Sequence, residues 1–454
     1  MDIVPPPVVV PPVPARQWWT WALFGCLAAF FVASNLIPIF MPSDEVVDPI
    51  SAEKMAAPVA LKQYVIFEEL SKIEGGGSFK TYQDQALETS IDGFESKLNN
   101  SEEAAAWLLA LQTVQGSDLN EKALDKLQLS EDEKWSDIGL AYEGELKNAA
   151  SIKGDDIPEV VARWKAGNPT AEEFPIEKLK IDANPWVFFG YLGWMVFVFF
   201  GGIIACVTYW GMKASGLAPA KGYQEGMTLA GFDARGGRMS IYFATFLGIS
   251  LLAGVLAVIN ENLDMVALNA GVFLILICLT PLFATVPLLG DRVKWGQIIG
   301  DRTQLWKKIA WGFGGYMANF PLAMGATLIV SPLAQYLPPP SHELIEMLSG
   351  SGPISALLLF FMAAVAAPLI EEPMFRGVLF PALQRVMKSP TAAIVLSGTI
   401  FAVIHPQGPL LWPALACIGM TAAVLTRQTG SLIPAILMHF LHNATIYGLN
   451  VVIR

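Results

Sequence analysis

Long apolar runs alternate with short polar connections along most of the chain, and this pattern predicts a helical membrane protein. A helix that crosses a bilayer needs about 20 predominantly apolar residues, and about nine runs approach that length. We therefore predict an all-α fold, a polytopic membrane helical bundle with about nine spans. The predicted spans are residues 17–41, 185–210, 240–259, 265–290, 309–333, 354–383, 391–406, 409–426 and 431–452.

A polar segment separates the first predicted span from the second. Residues 43–184 carry 29 acidic and 14 basic side chains. Apolar residues recur there at helical spacing, as at Ala104, Trp107, Leu108 and Leu111, and Pro and Gly residues break the pattern into several helices. We predict an inserted extramembrane helical domain, which is an acidic spacer or a domain that samples substrate or binds an unknown protein.

The predicted organisation has four parts. Residues 1–16 include six prolines and form a Pro-rich tail, because such a segment cannot build a core. Residues 17–41 form a first transmembrane anchor, and residues 43–184 form the acidic domain. Residues 185–454 form an eight-span membrane domain.

Basic residues fall in alternate connections, and this predicts the orientation in the membrane. Lys and Arg mark cytoplasmic loops under the positive-inside rule. Cations cluster at 213–238, 292–308 and 385–388 and at Arg427, whereas the alternate connections are acidic or neutral. The N-terminus is therefore predicted inside and the 43–184 domain outside.

Composition agrees with this class and excludes others. The chain is 54% hydrophobic and 15% charged, whereas soluble proteins carry about 25% charged residues. The four cysteines lie in separate apolar runs without CxxC spacing, so neither a disulfide framework nor a cysteine zinc site is indicated. No nucleic-acid-binding module is visible.

Candidate chemistry begins in the segment 371–376, EEPMFR, which places three formal charges in the most apolar part of the chain. One charge at a bilayer centre costs at least about 2.5–3.5 kcal/mol, so such residues usually face a cavity and serve a function. Glu372 and Arg376 are four residues apart and can pair on one helical face. This pairing would leave Glu371 for chemistry.

Three of the four histidines lie in the last 50 residues. His405 ends the run that begins at Phe401. His439 and Asn443 are four residues apart in the last predicted span, and His442 lies within reach of the same face. Unpaired polar groups cost free energy in a bilayer, so we expect these residues to converge on one another or on the acidic pair. One histidine alone could be interhelical glue, but the whole set predicts a functional cavity.

These residue types suit hydrolysis. A carboxylate beside a histidine can accept a proton from water and produce a nucleophile. A histidine and an asparagine four residues apart can donate hydrogen bonds to a developing oxyanion. Alternatively, a glutamate and two histidines can bind a Zn²⁺ that activates the water. No Ser or Cys has a convincing nucleophile context, so we interpret the set as a site that hydrolyses a peptide bond within the membrane.

At these positions the chain resembles a known family. EExxxR at 371–376, FxxxH at 401–405 and HxxxN at 439–443 are similar to the motifs of the CPBP intramembrane proteases, which include CAAX prenyl endopeptidases and bacteriocin-processing enzymes. The order of the motifs, their placement on successive spans and Gly377 after the arginine make the set specific. The resemblance covers about residues 240–454, where it implies the catalytic core.

The resemblance also implies roles for single residues. Glu371 and His405 would activate water, and His439 and Asn443 would stabilise the oxyanion. The family has been described both as metalloproteases and as glutamate-dependent proteases. A divalent metal such as zinc, bound by Glu371, His405 and His439, therefore stays an open alternative.

Supporting roles go to four further residues. Glu372 and Arg376 would hold the geometry and charge of the site, and Phe401 and His442 lie beside the implied catalytic residues. The expected substrate is a membrane-embedded or lipid-anchored peptide, and the expected location is a bacterial cytoplasmic (inner) membrane.

Two functions of other classes remain as alternatives. A non-catalytic membrane scaffold or immunity protein could retain the same fold. A proton-coupled transporter could use carboxylate and histidine chains as a relay. The transporter is the weaker alternative, because the spans show no obvious inverted repeat and the polar groups cluster late in the chain.

Overall fold

The computed structural model describes residues 18–40, 51–72, 79–146, 148–171, 174–181, 184–217, 232–259, 264–286, 293–337, 352–387, 389–405 and 407–453. Within these residues the chain consists of helices, turns and loops, with one isolated β-bridge between Gly300 and Ser431. The predicted all-α class is confirmed. The predicted Pro-rich tail lies outside the described residues.

The helices are numbered here in chain order. They are α1 (Trp18–Phe40), α2 (Ser51–Ser71), α3 (Phe79–Lys97), α4 (Glu102–Gln115), α5 (Glu121–Gln128), α6 (Glu133–Glu143), α7 (Ile157–Gly167), α8 (Pro185–Ala214), α9 (Phe232–Ile259), α10 (Met265–Thr285), α11 (Trp295–Ile299), α12 (Leu305–Val330), α13 (353–387), α14 (Pro390–Val403), α15 (Trp412–Thr429) and α16 (Ile433–Ile453).

The chain divides into two compact units. One comprises residues 43–193 and 449–454, and the other comprises residues 1–42 and 194–448. The first unit has a hydrophobic core of its own, in which Phe94 stacks on Trp107 with ring centroids 5.5 Å apart. Helix α4 begins where the Ser101 side chain accepts a hydrogen bond from the Ala104 N–H, and it ends at Gly116, whose φ is +74°.

The second unit holds most of the apolar helical residues, while α8 begins and α16 ends in the first unit. In the described part of the chain, five helices are long and apolar enough to cross a membrane. Two further apolar helices, Trp19–Ala29 and Pro390–Val403, are shorter. The chain is therefore an integral membrane protein, and the count of about nine spans stays a prediction. The five long helices are Pro185–Ala214, Gly236–Ala253, Met265–Thr285, Leu305–Leu333 and Pro353–Gln384.

Helix α13 carries the acidic motif and changes its winding twice. Its α-helical parts, Pro353–Phe360, Ala367–Glu372 and Phe380–Met387, are joined by π-helical segments at Phe361–Ala366 and Pro373–Leu379. Pro368 and Pro373 lie at the junctions, and proline has no N–H to donate to the preceding turn. Short π-helical segments are frequent at functional sites, and here they flank both glutamates of the motif.

Helices α14 and α15 approach each other closely because glycines face each other where they cross. A Cβ added to Gly398 would lie 2.6 Å from Cγ of Met420 and 2.8 Å from the carbonyl oxygen of Ala416. A Cβ added to Gly419 would lie 2.7 Å from Cα of Gly398 and 3.3 Å from Nη2 of Arg376. Small residues permit such approaches between membrane helices, and this crossing positions the two helices beside Arg376.

Gly398→Ala is expected to destabilise the protein by about 1–3 kcal/mol, because the added methyl group forces α14 and α15 apart. Gly325→Ala on α12 is the matched control. A Cβ there meets nothing within 4 Å, so the better helix propensity of Ala should make that change neutral or stabilising by up to about 1 kcal/mol. Unfolding in detergent measures both variants, and equal effects would contradict the close crossing.

Candidate active site

Glu371 and His405 are partly exposed side chains of the site, although the Oε2 atom of Glu371 is itself buried. The Oε2 atom of Glu371 lies 3.7 Å from Nε2 of His405, and the side chains are 19% and 17% exposed, respectively. His405 follows the end of α14, and its Nδ1 donates to the carbonyl oxygen of Phe401. This bond sets the tautomer of the neutral ring, so Nε2 carries a lone pair on the side that faces Glu371.

A second, buried group consists of Glu372, Arg376 and His439. Oε1 of Glu372 lies 3.0 Å from Nη1 of Arg376 and accepts a hydrogen bond of 2.8 Å from Nδ1 of His439. The Glu372 and Arg376 side chains are fully buried. The predicted pairing of these two residues on one helical face is present. A carboxylate that is bonded to one histidine nitrogen fixes the ring and directs the other nitrogen away from it.

Phe401 connects the two groups. Its ring centroid lies 4.4 Å from Cζ of Arg376, which is a cation–π distance. Ring centroids of His405 and His439 lie 4.3 Å and 5.8 Å away, and Phe375 packs edge-on at 5.2 Å. The phenylalanine of the FxxxH motif therefore contacts side chains from both α13 and α16, in addition to His405.

Among the described residues, Asn443 bonds to the backbone of α13 and not to another side chain of the site. Its Nδ2 donates a hydrogen bond of 2.8 Å to the carbonyl oxygen of Ala363, within the first π-helical segment. A side-chain amide has two N–H donors, so one hydrogen is committed to Ala363 and the second is not used by that bond.

His442 faces a different set of residues. Its Nδ1 lies 3.2 Å from Nδ2 of Asn319 on α12, and Oδ1 of Asn319 accepts a 3.3 Å bond from Thr421 on α15. Because the amide nitrogen can only donate, Nδ1 of His442 is the acceptor and Nε2 carries the proton. A second bond joins α12 to α16 one turn away, between Tyr316 and Thr445 at 2.7 Å.

Asn319 was not among the residues predicted for the site, although the sequence carries a signal for it. Asn319 is a fully buried polar residue within an apolar predicted span. Such residues usually pair across helices, because hydrocarbon offers no alternative partner. The spacing within α12 could not identify the partner, since His442 lies 123 residues later in the chain.

A double-mutant cycle with Asn319→Leu and His442→Leu is expected to give a coupling energy of about 0.6 kcal/mol, with about 1.7 kcal/mol as the upper end for such bonds in membranes. The cycle compares unfolding free energies of the wild type, both single variants and the double variant in one detergent. The same cycle with Asn319→Leu and Thr327→Ala serves as the control, because Thr327 bonds to the carbonyl oxygen of Ala323 instead. A coupling near zero for the first pair would contradict the hydrogen bond.

The three candidate zinc ligands are Glu371, His405 and His439. Among the described residues, no group of three or more His, Cys, Asp or Glu side chains is placed to hold a metal ion. Nδ1 of His439 is bonded to Glu372, while Glu371 faces His405. The bonds at Nδ1 of His405 and His439 leave the Nε2 atom of each ring available. A divalent metal held by Glu371, His405 and His439 therefore stays an open alternative.

Comparison with known proteins identifies the segment that carries these motifs. Residues 353–445 match the family described as "Type II CAAX prenyl endopeptidase Rce1-like". No curated protein and no solved structure matches the chain. The matched segment begins with α13 and includes the residues of all three motifs, in the order that the sequence analysis identified. Over residues 353–445 the chain is therefore similar to this family, which supports the resemblance to the CAAX proteases that the three motifs indicated.

Proposed function

We propose that the protein is an intramembrane endopeptidase in which Glu371 and His405 together activate a water molecule. The observation that carries this proposal is their geometry. Both Oε2 of Glu371 and Nε2 of His405 are acceptors, and their separation of 3.7 Å is too long for a direct hydrogen bond. A water between them donates one hydrogen to each, and one acceptor takes the proton as the oxygen attacks the peptide carbonyl.

His439 and Asn443 are proposed to stabilise the oxyanion that this attack creates. With Nδ1 bonded to Glu372, His439 can donate from Nε2 when the ring is protonated. Asn443 retains a second amide hydrogen beside the one that it donates to Ala363. Donors that are held in place before the reaction stabilise developing charge without reorganisation. Glu372 supports this role by fixing the His439 ring.

The substrate proposed for this site is a membrane-embedded or lipid-anchored peptide. Glu371 and His405 are partly exposed inside an apolar helical unit, so the substrate must reach a site among membrane helices. The proposed location is a bacterial cytoplasmic membrane, with the N-terminus inside and the 43–184 domain outside. The proposed partner of that domain is a protein, in line with its acidic, solvent-facing character.

Membrane proteomics tests the proposal. Cells carry the wild type, Glu371→Ala, His405→Ala or the control Cys278→Ala, at matched protein levels. Cys278 is exposed on α10 and belongs to none of the three motifs. We expect specific membrane peptides to be cleaved with the wild type and the control, and to stay intact with both site variants. Identical peptide sets in all four strains would overturn the proposal and favour the scaffold alternative.

A further inference from the structure

The described residues immediately before α12 form a folded segment that is hydrogen-bonded to a turn of the same unit. Residues 293–308 contain the short helix α11 and the beginning of α12. The N–H of Leu432 donates a 2.9 Å hydrogen bond to the carbonyl oxygen of Ile299. The N–H of Asp301 donates a 2.8 Å hydrogen bond to the carbonyl oxygen of Gly430. These bonds connect the segment to the turn between α15 and α16.

Asp301 holds the segment together from within. Its Oδ1 accepts 2.8 Å hydrogen bonds from both the N–H and the hydroxyl of Thr303, and its Oδ2 accepts a 3.1 Å bond from Nζ of the buried Lys308. The two hydrogen bonds from Thr303, and to a lesser extent Lys308, lower the pKa of Asp301 to about 2. The carboxylate therefore stays charged at physiological pH, and the segment keeps its shape.

The outer side of this segment is basic and aromatic. Lys294, Arg302 and Lys307 are exposed, and within the described part of the chain none of them forms an ion pair. The neighbouring Trp306 is 82% exposed and Leu305 is 52% exposed. Both lie at the beginning of the apolar helix Leu305–Leu333, where a membrane span meets the headgroup region.

The same segment packs against α13, the helix that carries the acidic motif. A Cβ added to Gly377 would lie 2.6 Å from Cγ2 of Ile298, so α11 lies directly against the residue that follows Arg376. The basic side chains therefore belong to a backbone segment that packs on the second π-helical segment of α13.

We propose that Lys294, Arg302, Lys307 and Trp306 form a docking surface for anionic phospholipid headgroups, which we name the basic lipid surface. Three exposed cations match the negative charge of a phosphate-bearing headgroup. An exposed tryptophan at the end of a span is typical of the membrane interface. These aromatic and apolar neighbours favour a lipid in the bilayer over a soluble anion. The surface goes beyond the proposed proteolysis and contains none of its residues.

The test uses the full-length protein in nanodiscs of phosphatidylcholine alone or with phosphatidylglycerol. The variant is Lys294→Gln/Arg302→Gln/Lys307→Gln, and the control is Lys122→Gln/Lys178→Gln/Lys180→Gln. The control removes the same charge from exposed positions of the other unit. Native mass spectrometry counts retained phosphatidylglycerol, and the thermal unfolding midpoint is recorded with and without that lipid. Neither measurement depends on peptide hydrolysis, so the result is separate from the proposed function.

We expect the wild type and the control to retain phosphatidylglycerol and to gain thermal stability from it. The triple variant should bind it about 100-fold more weakly at low salt, and Arg302→Gln alone about fivefold more weakly. High salt should remove the difference, because these charges are exposed. Equal binding by the triple variant and the wild type, or an equal loss in the control, would overturn the proposal. Competition by soluble glycerol phosphate would also overturn it, since the site would then bind a free anion.

Discussion

Glu371→Gln is expected to slow peptide hydrolysis by about 10²–10⁴-fold and to leave the fold intact. Glutamine keeps the size of the side chain but cannot accept a proton from water at neutral pH. The Oε2 atom of Glu371 has no hydrogen-bond partner among the described residues, so the change removes no structural bond from that atom. The measurement is kcat on a peptide identified by proteomics, with the unfolding midpoint recorded beside it.

Combining His405→Gln with Glu371→Gln tests whether the two residues act on the same water molecule or in separate steps. If Glu371 and His405 act on one water, the double variant should be no slower than the slower single variant, because residues that act as a unit are strongly non-additive. Glu177→Gln, an exposed carboxylate of the other unit, is the control and should be silent. Full activity in Glu371→Gln would contradict the mechanism, and multiplied losses in the double variant would place the two residues in separate steps.

Arg376→Met is expected to destabilise the protein by about 3–5 kcal/mol, which is the typical cost of removing one partner from a buried ion pair. Glu372 is fully buried and its Oε1 lies 3.0 Å from the guanidinium. The variant leaves the carboxylate with His439 as its remaining partner among the bonds described here. The loss of the guanidinium also removes the cation–π contact with Phe401. Unfolding free energies in one detergent measure the effect.

A second substitution tests whether the uncompensated charge is the cause. Glu372→Gln added to Arg376→Met removes the buried charge, so the double variant should recover part of the lost stability. Lys213→Met is the control, because this exposed cation at the end of α8 should change stability by about 0.5 kcal/mol or less. A cost below about 1 kcal/mol for Arg376→Met would contradict a stabilising role of this buried ion pair.

The sequence alone determined the helical class and five long apolar spans, and it indicated the candidate residues of the site. Apolar length is a direct consequence of bilayer thickness, so five of the predicted spans appear as long apolar helices. Spacing within one helix was equally informative. The separation of Glu372 and Arg376 by four residues predicted their ion pair, because residues four apart are neighbours on a helical surface.

Only the tertiary structure decided which side chains meet across helices. Spacing placed His439 and Asn443 on one helical face. In the folded protein, however, His439 bonds to Glu372, and Asn443 bonds to the carbonyl oxygen of Ala363. Packing also pairs His442 with Asn319. The physical reason is that a helix fixes only its own i to i+4 neighbours. Partners from other helices depend on rotation, crossing angle and close approach, and these are set by residues such as Gly398 and Gly419 at the contact.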